Sequence, residues 1–320
     1  MILMGTGPFA VPAFDAIASD KRHEVLMVVT RPQPPVKSRG GPPPAPVRDW
    51  AESHGFSIMD PPSINDDEVC RRLAETRADL LVVCDYGQIL KPHALATSRR
   101  GGINLHGSLL PRYRGAAPVQ RALLSGEPTT GVSVIHMTPR LDGGPILAEA
   151  ETPIGSTETA GQLEERLSEL GVEPTLRAVE LLEQWDGTSP IGRKQDPAAA
   201  TKAPRLSKAE GRIDWNQSGH QLSCHIRGMQ PWPVAFVEAV LRGGKPPVRI
   251  AIRRAEFRPD LNVNENSIGH TRDSDGLEIG CRDGWIAIAR LQPSGKKEMS
   301  AEEFLRGHPL PPGTPFGAAE

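Results

Sequence analysis

Gly102-Ile103-Asn104-Leu105-His106-Gly107-Ser108-Leu109-Leu110-Pro111-Arg112-Tyr113-Arg114-Gly115 is the stretch from which the rest of the chain can be read. Ile103 and Leu105 alternate with Asn104 and His106, which is the period of a strand with one apolar and one polar face. Gly107 ends that strand, and Pro111 and Gly115 hold the next segment in an irregular loop. Polar groups at the C-terminal end of a strand, backed by a glycine turn, occupy the place where an open α/β sheet carries its chemistry. The Asn104 amide donates hydrogen bonds, and the His106 imidazole donates a hydrogen bond or a proton near neutral pH. Two such donors converging on one carbonyl oxygen form an acyl-transfer device.

Outward from this stretch, the next strand (Val132–Met137) delivers Arg140-Leu141-Asp142-Gly143-Gly144-Pro145. A carboxylate there can orient the histidine and favour its charged form. Each residue alone also has an ordinary use. A histidine at a strand end can be satisfied locally, and an Asp before two glycines is a turn residue.

The run His106-Gly107-Ser108-Leu109-Leu110-Pro111-Arg112-Tyr113-Arg114-Gly115-Ala116-Ala117-Pro118 resembles the signature of the methionyl-tRNA formyltransferase family. The Asn-x-His core and later Asp are shared by the folate-dependent formyltransferases at large. The resemblance implies transfer of a formyl group from 10-formyltetrahydrofolate to the α-amino group of initiator methionyl-tRNA. It gives Asn104, His106 and Asp142 the catalytic roles, and no metal is expected. Ser108, Leu109, Leu110 and Pro111 would lie against the folate. The loop Asp85-Tyr86-Gly87-Gln88-Ile89-Leu90 would be a second wall, with backbone groups from Tyr86 through Gly87 and Gln88 to Leu90 bonding the pterin and Ile89 and Leu90 packing on its face. Ile89 and Leu90 are equally readable as plain core.

Strands alternate with helices through the first part of the chain. Ile2–Met4, Val25–Val29 and Leu80–Cys84 are short apolar runs suited to parallel strands covered on both faces. Between them, Val11, Phe14 and Ile17, then Val69 and Leu73, recur at helical spacing, and residues 158–184 carry a leucine stripe. The expected class is α/β: a Rossmann-like, mostly parallel, doubly wound sheet, the formyltransferase fold, over residues 1–187. Gly5-Thr6-Gly7 is not a dinucleotide fingerprint, which counts against a nicotinamide oxidoreductase. Residues 188–207, rich in Gly, Pro and Ala, read as a linker. Residues 208–320 show short β-like runs broken by Gly and Pro with one helix near Gln217–Arg227, the pattern of a small OB-like β-barrel. Ala203–Trp215, Gln230-Pro231-Trp232-Pro233 and Leu291–Ser300 resemble the family's C-terminal tRNA-binding domain, so the resemblance spans the chain.

Residues 30–48 are too rich in Pro and Gly for helix or strand, and they hold Arg31, Lys37, Arg39 and Arg48 with no acidic residue. This reads either as a solvated loop or as cations that order on RNA phosphates; the family's basic insertion at this place favours RNA. Charge elsewhere is weakly polarised: residues 186–320 hold 19 Lys+Arg against 16 Asp+Glu, residues 1–185 hold 18 against 23. Cys70, Cys84, Cys224 and Cys281 are widely spaced, against a zinc site or a disulfide framework. No apolar run reaches membrane-spanning length and no secretory leader is visible, so a cytoplasmic protein with no membrane association and no obligate protein partner is expected. The competing functions are a formyltransferase for a small amine (glycinamide ribonucleotide or an amino sugar), an oxidoreductase, and a non-catalytic RNA-binding module.

Overall fold

Four residues sealed from solvent, Ile2–Gly5, begin the architecture as β1. The computed structural model describes residues 1–33, 43–241, 246–260 and 263–317. The chain then forms α1 (Val11–Ser19), β2 (Met27–Val29), α2 (Pro46–Ser53), β3 (Ile58–Met59), α3 (Asp67–Glu75) and β4 (Leu81–Cys84). Next come α4 (Pro92–Leu95), β5 (Gly102–His106), β6 (Arg114–Gly115), α5 (Pro118–Leu124), β7 (Thr129–His136), β8 (Ile146–Pro153), α6 (Ala160–Leu170) and α7 (Val172–Glu183). The apolar runs become strands because both faces are covered. Ile2, Leu3, Met4, Val28, Val29 and Leu81 are all fully buried. Burial of each such side chain contributes roughly 1.5–3 kcal/mol relative to exposure.

The sheet order is β3-β2-β1-β4-β5-β7-β8. The first five strands are mutually parallel, while β7 runs antiparallel to both β5 and β8. The mostly parallel doubly wound sheet expected from the sequence is therefore present. Its order reverses between β1 and β4, the position at which open α/β sheets place their ligand crevice. Register carries this further: Gly5 pairs with Cys84 and Cys84 with Leu105. Three adjacent strands end level, so the segments after Gly5, Cys84 and Leu105 emerge along one rim.

The chain divides into two compact units. The first comprises Met1–Val119, Thr129–Pro153 and Leu163–Pro204; the second comprises Gln120–Pro128, Ile154–Gln162 and Arg205 onward. Of the stretch expected to be a linker, residues 188–204 lie in the first unit. Arg193 forms a two-way bridge to Ile146, with both N–O distances 2.8 Å, and β9 (Lys202–Ala203) pairs in parallel with β6.

From Arg205 onward, the described residues of the second unit form an antiparallel sheet and two helices. α8 (Gly219–Gly228) precedes β10 (Phe236–Ala239), β11 (Val248–Pro259), β12 (Leu277–Cys281), β13 (Gly284–Pro293) and β14 (Met299–Ser300), and α9 (Ala301–Gly307) comes last. Strand order is β10-β11-β13-β12, with β14 on β13. Both helices start with a capping box, Ser218 with Gln221 and Ser300 with Glu303, which satisfies two orphan N–H groups at each end. Glu278, 3% exposed, sits between Arg258 and Arg272, a buried carboxylate tolerated because it is paired twice. Among the described residues, no helix is long and apolar enough to cross a membrane.

Candidate active site

The end of β5 supplies the first two groups. Ile103 and Leu105 are buried on one face, and Asn104 and His106 share the other. His106 is 6% exposed, whereas Asn104 is half-buried, and among the described residues its amide makes no hydrogen bond. His106 stands opposite Ser133 of β7 in the antiparallel register.

Asp142 reaches the histidine from the loop after β7. Its Oδ2 lies 3.5 Å from His106 Nε2, an ion-pair distance too long for a well-formed hydrogen bond. The same oxygen accepts a 2.9 Å hydrogen bond from the Gly115 N–H. Burial works to raise the Asp142 carboxyl, but His106, the Gly115 N–H and Arg114 together outweigh it and hold it below the ordinary carboxylate value. Asp142 itself has φ 47°, a left-handed conformation that Asp tolerates better than most residues.

Residues that carry no signal in the sequence hold this loop. Gln195 Nε2 donates to the carbonyl oxygens of Asp142 (2.8 Å) and Gly144 (2.7 Å), while its Oε1 accepts from Arg114 Nε (3.1 Å) and Nη2 (2.6 Å). Thr201 Oγ1 accepts from the Tyr113 N–H at 2.8 Å, and the Thr201 carbonyl accepts from the Arg114 N–H at 2.9 Å. A Cβ at Gly115, whose φ is 128°, would come within 2.6 Å of the Ala203 carbonyl oxygen, so the strap lies against bare backbone there. Gln195 and Thr201 thus belong to the site.

Behind the histidine, Ser108 is fully buried, and its Oγ lies 3.0 Å from His106 Nδ1 and 2.8 Å from the Arg112 carbonyl oxygen. Ser133 Oγ donates to the Ser108 carbonyl (2.9 Å) and accepts from the Leu110 N–H (3.0 Å). Leu110 is buried with Ile135 and Ile146, while Leu109 and Pro111 are half-buried. Of this group, the Ser108 side chain faces inward onto the imidazole.

The loop after β4 forms the neighbouring part of the rim. Thr6 N–H donates to the Asp85 carbonyl (3.1 Å) and Thr6 Oγ1 to the Tyr86 carbonyl (3.2 Å), tying it to the end of β1. Tyr86 and Leu90 are buried in the core, and burial pushes the Tyr86 phenol up to about 12. Ile89 is 65% exposed. Gln88 is turned away from the rim, accepting from the Ile64 N–H (2.8 Å) and donating to the Pro61 carbonyl (3.3 Å). Gly87 has φ 75°, and a Cβ there would lie 3.4 Å from Arg31 Nη1.

The basic residues fall into three cases. Arg31 is exposed and lies over Gly87. Lys37 and Arg39 lie outside the described residues. Arg48 pairs with Asp60 at 2.5 Å and approaches Glu52 at 3.8 Å, with a side chain only 16% exposed.

Known proteins match this arrangement. The sequence pattern described as "Formyl transferase" covers residues 1–179, and "Formyl transferase, C-terminal domain" covers residues 205–309. The methionyl-tRNA formyltransferase of Rhodopirellula baltica is 59% identical over 318 residues, 98% of this chain and 95% of that protein. Its counterpart in Parvibaculum lavamentivorans is 39% identical over 316 residues, 98% of each. Among solved structures, an N-formyltransferase from Helicobacter canadensis, crystallised with folinic acid and dTDP-3-aminofucose, superposes with a TM-score of 0.61 at 15% identity. The alignment covers 90% of this chain and 98% of that one, and it speaks for the fold. With both patterns matched and full-length relatives at this identity, the chain belongs to the methionyl-tRNA formyltransferase family.

Proposed function

We propose that the chain transfers the formyl group of 10-formyltetrahydrofolate to the α-amino group of initiator methionyl-tRNA. The carrying observation is the meeting of His106 and Asp142 at the end of β5, with the Asn104 amide, unbonded among the described residues, on the same strand face. In this reading the neutral amine attacks the formyl carbon and a C–N bond forms. The carbonyl oxygen becomes an oxyanion, which accepts hydrogen bonds from the Asn104 amide and His106 Nε2–H. Asp142 balances the charge on the imidazolium. As the bond to N10 of the folate breaks, the imidazolium gives its Nε2 proton to N10 and takes the amine's proton, by way of Asp142, in return. The 3.5 Å gap between Nε2 and Oδ2 suits a site that tightens when substrates bind. Holding two substrates in register supplies up to roughly 7–11 kcal/mol of the barrier reduction in well-oriented systems.

The folate wall in this reading is made of Leu109 and Pro111 on one side and the backbone of residues 86–90 with the exposed Ile89 on the other. Tyr86, Leu90 and Leu110 shape it from behind. Arg31, Lys37 and Arg39 contact tRNA phosphates, and the reaction takes place in the cytoplasm, where charged tRNA is used. Residues 208–320 are the tRNA-binding domain. The test offers 10-formyltetrahydrofolate with charged initiator tRNA, charged elongator tRNA, glycinamide ribonucleotide and an amino sugar nucleotide. The expected result is N-formyl product on initiator tRNA. Product on a small amine with none on tRNA overturns the reading.

A further inference from the structure

His106 has two ring nitrogens in different situations. Nδ1 lies 3.0 Å from Ser108 Oγ, whereas Nε2 is sealed from solvent, makes no hydrogen bond among the described residues and faces Asp142 Oδ2 at 3.5 Å. A serine hydroxyl has one hydrogen and two lone pairs. The Arg112 carbonyl, 2.8 Å from Ser108 Oγ, only accepts, so the single hydroxyl hydrogen is committed to it. What Ser108 turns toward the imidazole is therefore a lone pair, and the hydrogen between them sits on Nδ1.

The reverse arrangement, with Ser108 donating to Nδ1, would set two acceptor oxygens 2.8 Å apart, one of them on a fully buried serine. The backbone that carries the hydroxyl is tied down on both sides. The Ser108 N–H donates to the His106 carbonyl (2.9 Å), and Ser133 Oγ donates to the Ser108 carbonyl (2.9 Å).

We propose that Ser108 is a positioning residue that fixes the tautomer of His106. The ring keeps a hydrogen on Nδ1 throughout, and Nε2 is the only nitrogen that gains or loses a proton. When the imidazolium gives up its proton it does so from Nε2, toward Asp142 and the reacting groups, and the neutral ring that remains is the Nδ1–H form. An imidazole free in water favours the other neutral form, Nε2–H, which would present a hydrogen where a proton acceptor is needed. The wiring thus readies Nε2 to accept a proton directly, with no tautomer exchange between turnovers. The kinetic consequence rests on formyl transfer through His106 as proposed; the tautomer itself does not.

The experiment is ¹⁵N NMR of the histidine-labelled chain at a pH where imidazole is neutral, with His106→Gln used to assign the signal. The wild-type ring is expected to show the Nδ1–H pattern, and Ser108→Ala the Nε2–H pattern. Ser108→Ala should also lower kcat by about 10- to 100-fold with KM for both substrates within about twofold, and Ser108→Thr, which keeps the hydroxyl, should restore most of the rate. A wild-type ring in the Nε2–H form overturns the proposal even if no variant folds, as does a Ser108→Ala ring that stays Nδ1–H. An unchanged rate in Ser108→Ala with the tautomer switched would keep the structural assignment and remove its catalytic consequence.

Discussion

The ends of β4 and β5 stand level in the same sheet, with Cys84 beside Leu105, yet the two tips are built in opposite ways. At the β5 tip the reactive groups are buried and braced. His106 is held through Ser108 and Arg112, and Asp142 through Gly115 and Gln195. At the β4 tip the polar ties point inward, through Thr6 and Gln88, and the outward face carries Ile89, Gly87 and the Arg31 guanidinium. One tip is fixed before any ligand arrives, as charge stabilisation requires. The other offers an open apolar and cationic surface, as binding requires.

This contrast separates kcat from KM. The largest expected effects lie at the β5 tip. His106→Ala, Asn104→Ala and Asp142→Ala should each lower kcat by about 10²–10³-fold or more while leaving tRNA binding nearly intact, measured by single-turnover formylation and by filter binding. A near-normal rate in any of the three would dissolve the contrast. Next comes Gln195→Ala, which strands the Asp142 and Gly144 carbonyls and the Arg114 guanidinium at once. It should cost about 1–3 kcal/mol in thermal unfolding. Displacement of Asp142 by an ångström should lower kcat by about 10²-fold.

The same contrast explains why some of the molecule is legible in the sequence and some is not. Asn104 and His106 are legible because strand alternation sets them on one face and a glycine ends the strand. Asp142 is legible because the next strand delivers it. The parallel sheet is legible in the runs Leu80–Cys84 and Val25–Val29, although only Met27–Val29 of the latter is strand. Gln195 and Thr201 are not, because they reach Asp142 and Tyr113 across 53 and 88 residues from a segment with neither helical nor strand period. A Pro- and Ala-rich stretch without period reads as a spacer, whether it is loose or bonded at every turn. The inward aim of Ser108 is likewise hidden, since it depends on the Arg112 carbonyl returning across a proline-shaped loop.

Smaller effects are expected at the β4 tip. Ile89→Ala should raise KM for the folate by about tenfold with kcat unchanged, since a buried isoleucine contributes roughly 1.5–3 kcal/mol and only part of the side chain is removed. An effect on kcat instead would place Ile89 with the chemistry. A stability measurement addresses the β5 tip independently of activity. The folded Asp142 carboxyl lies below its ordinary value of 3.8, so its stabilising contribution is complete above that value and is lost as pH falls through the lower folded one. The stability gap between the wild type and Asp142→Asn should therefore narrow as pH drops from 3.8 downward. A gap that stays constant over that range would mean the carboxylate is not held by His106 and Gly115.

The smallest effect distinguishes two arginines that the sequence puts in one group. Arg48 already has Asp60 and Glu52 as partners, whereas Arg31 is exposed above Gly87 on the binding side of the rim. A phosphate contact adds about 0.7–0.9 to the slope of log affinity against log salt. Arg31→Ala should lower that slope for charged tRNA by about one such contact. Arg48→Ala should leave the slope alone and cost about 0.5–3 kcal/mol of stability, since its side chain is only 16% exposed and packs as well as pairs. If the two variants change the slope equally, Asp60 releases Arg48 to the RNA, and the cationic surface extends from the β4 rim along α2. If only Arg31 matters, RNA and folate meet at Gly87, and the exposed tip of β4 serves both substrates at once.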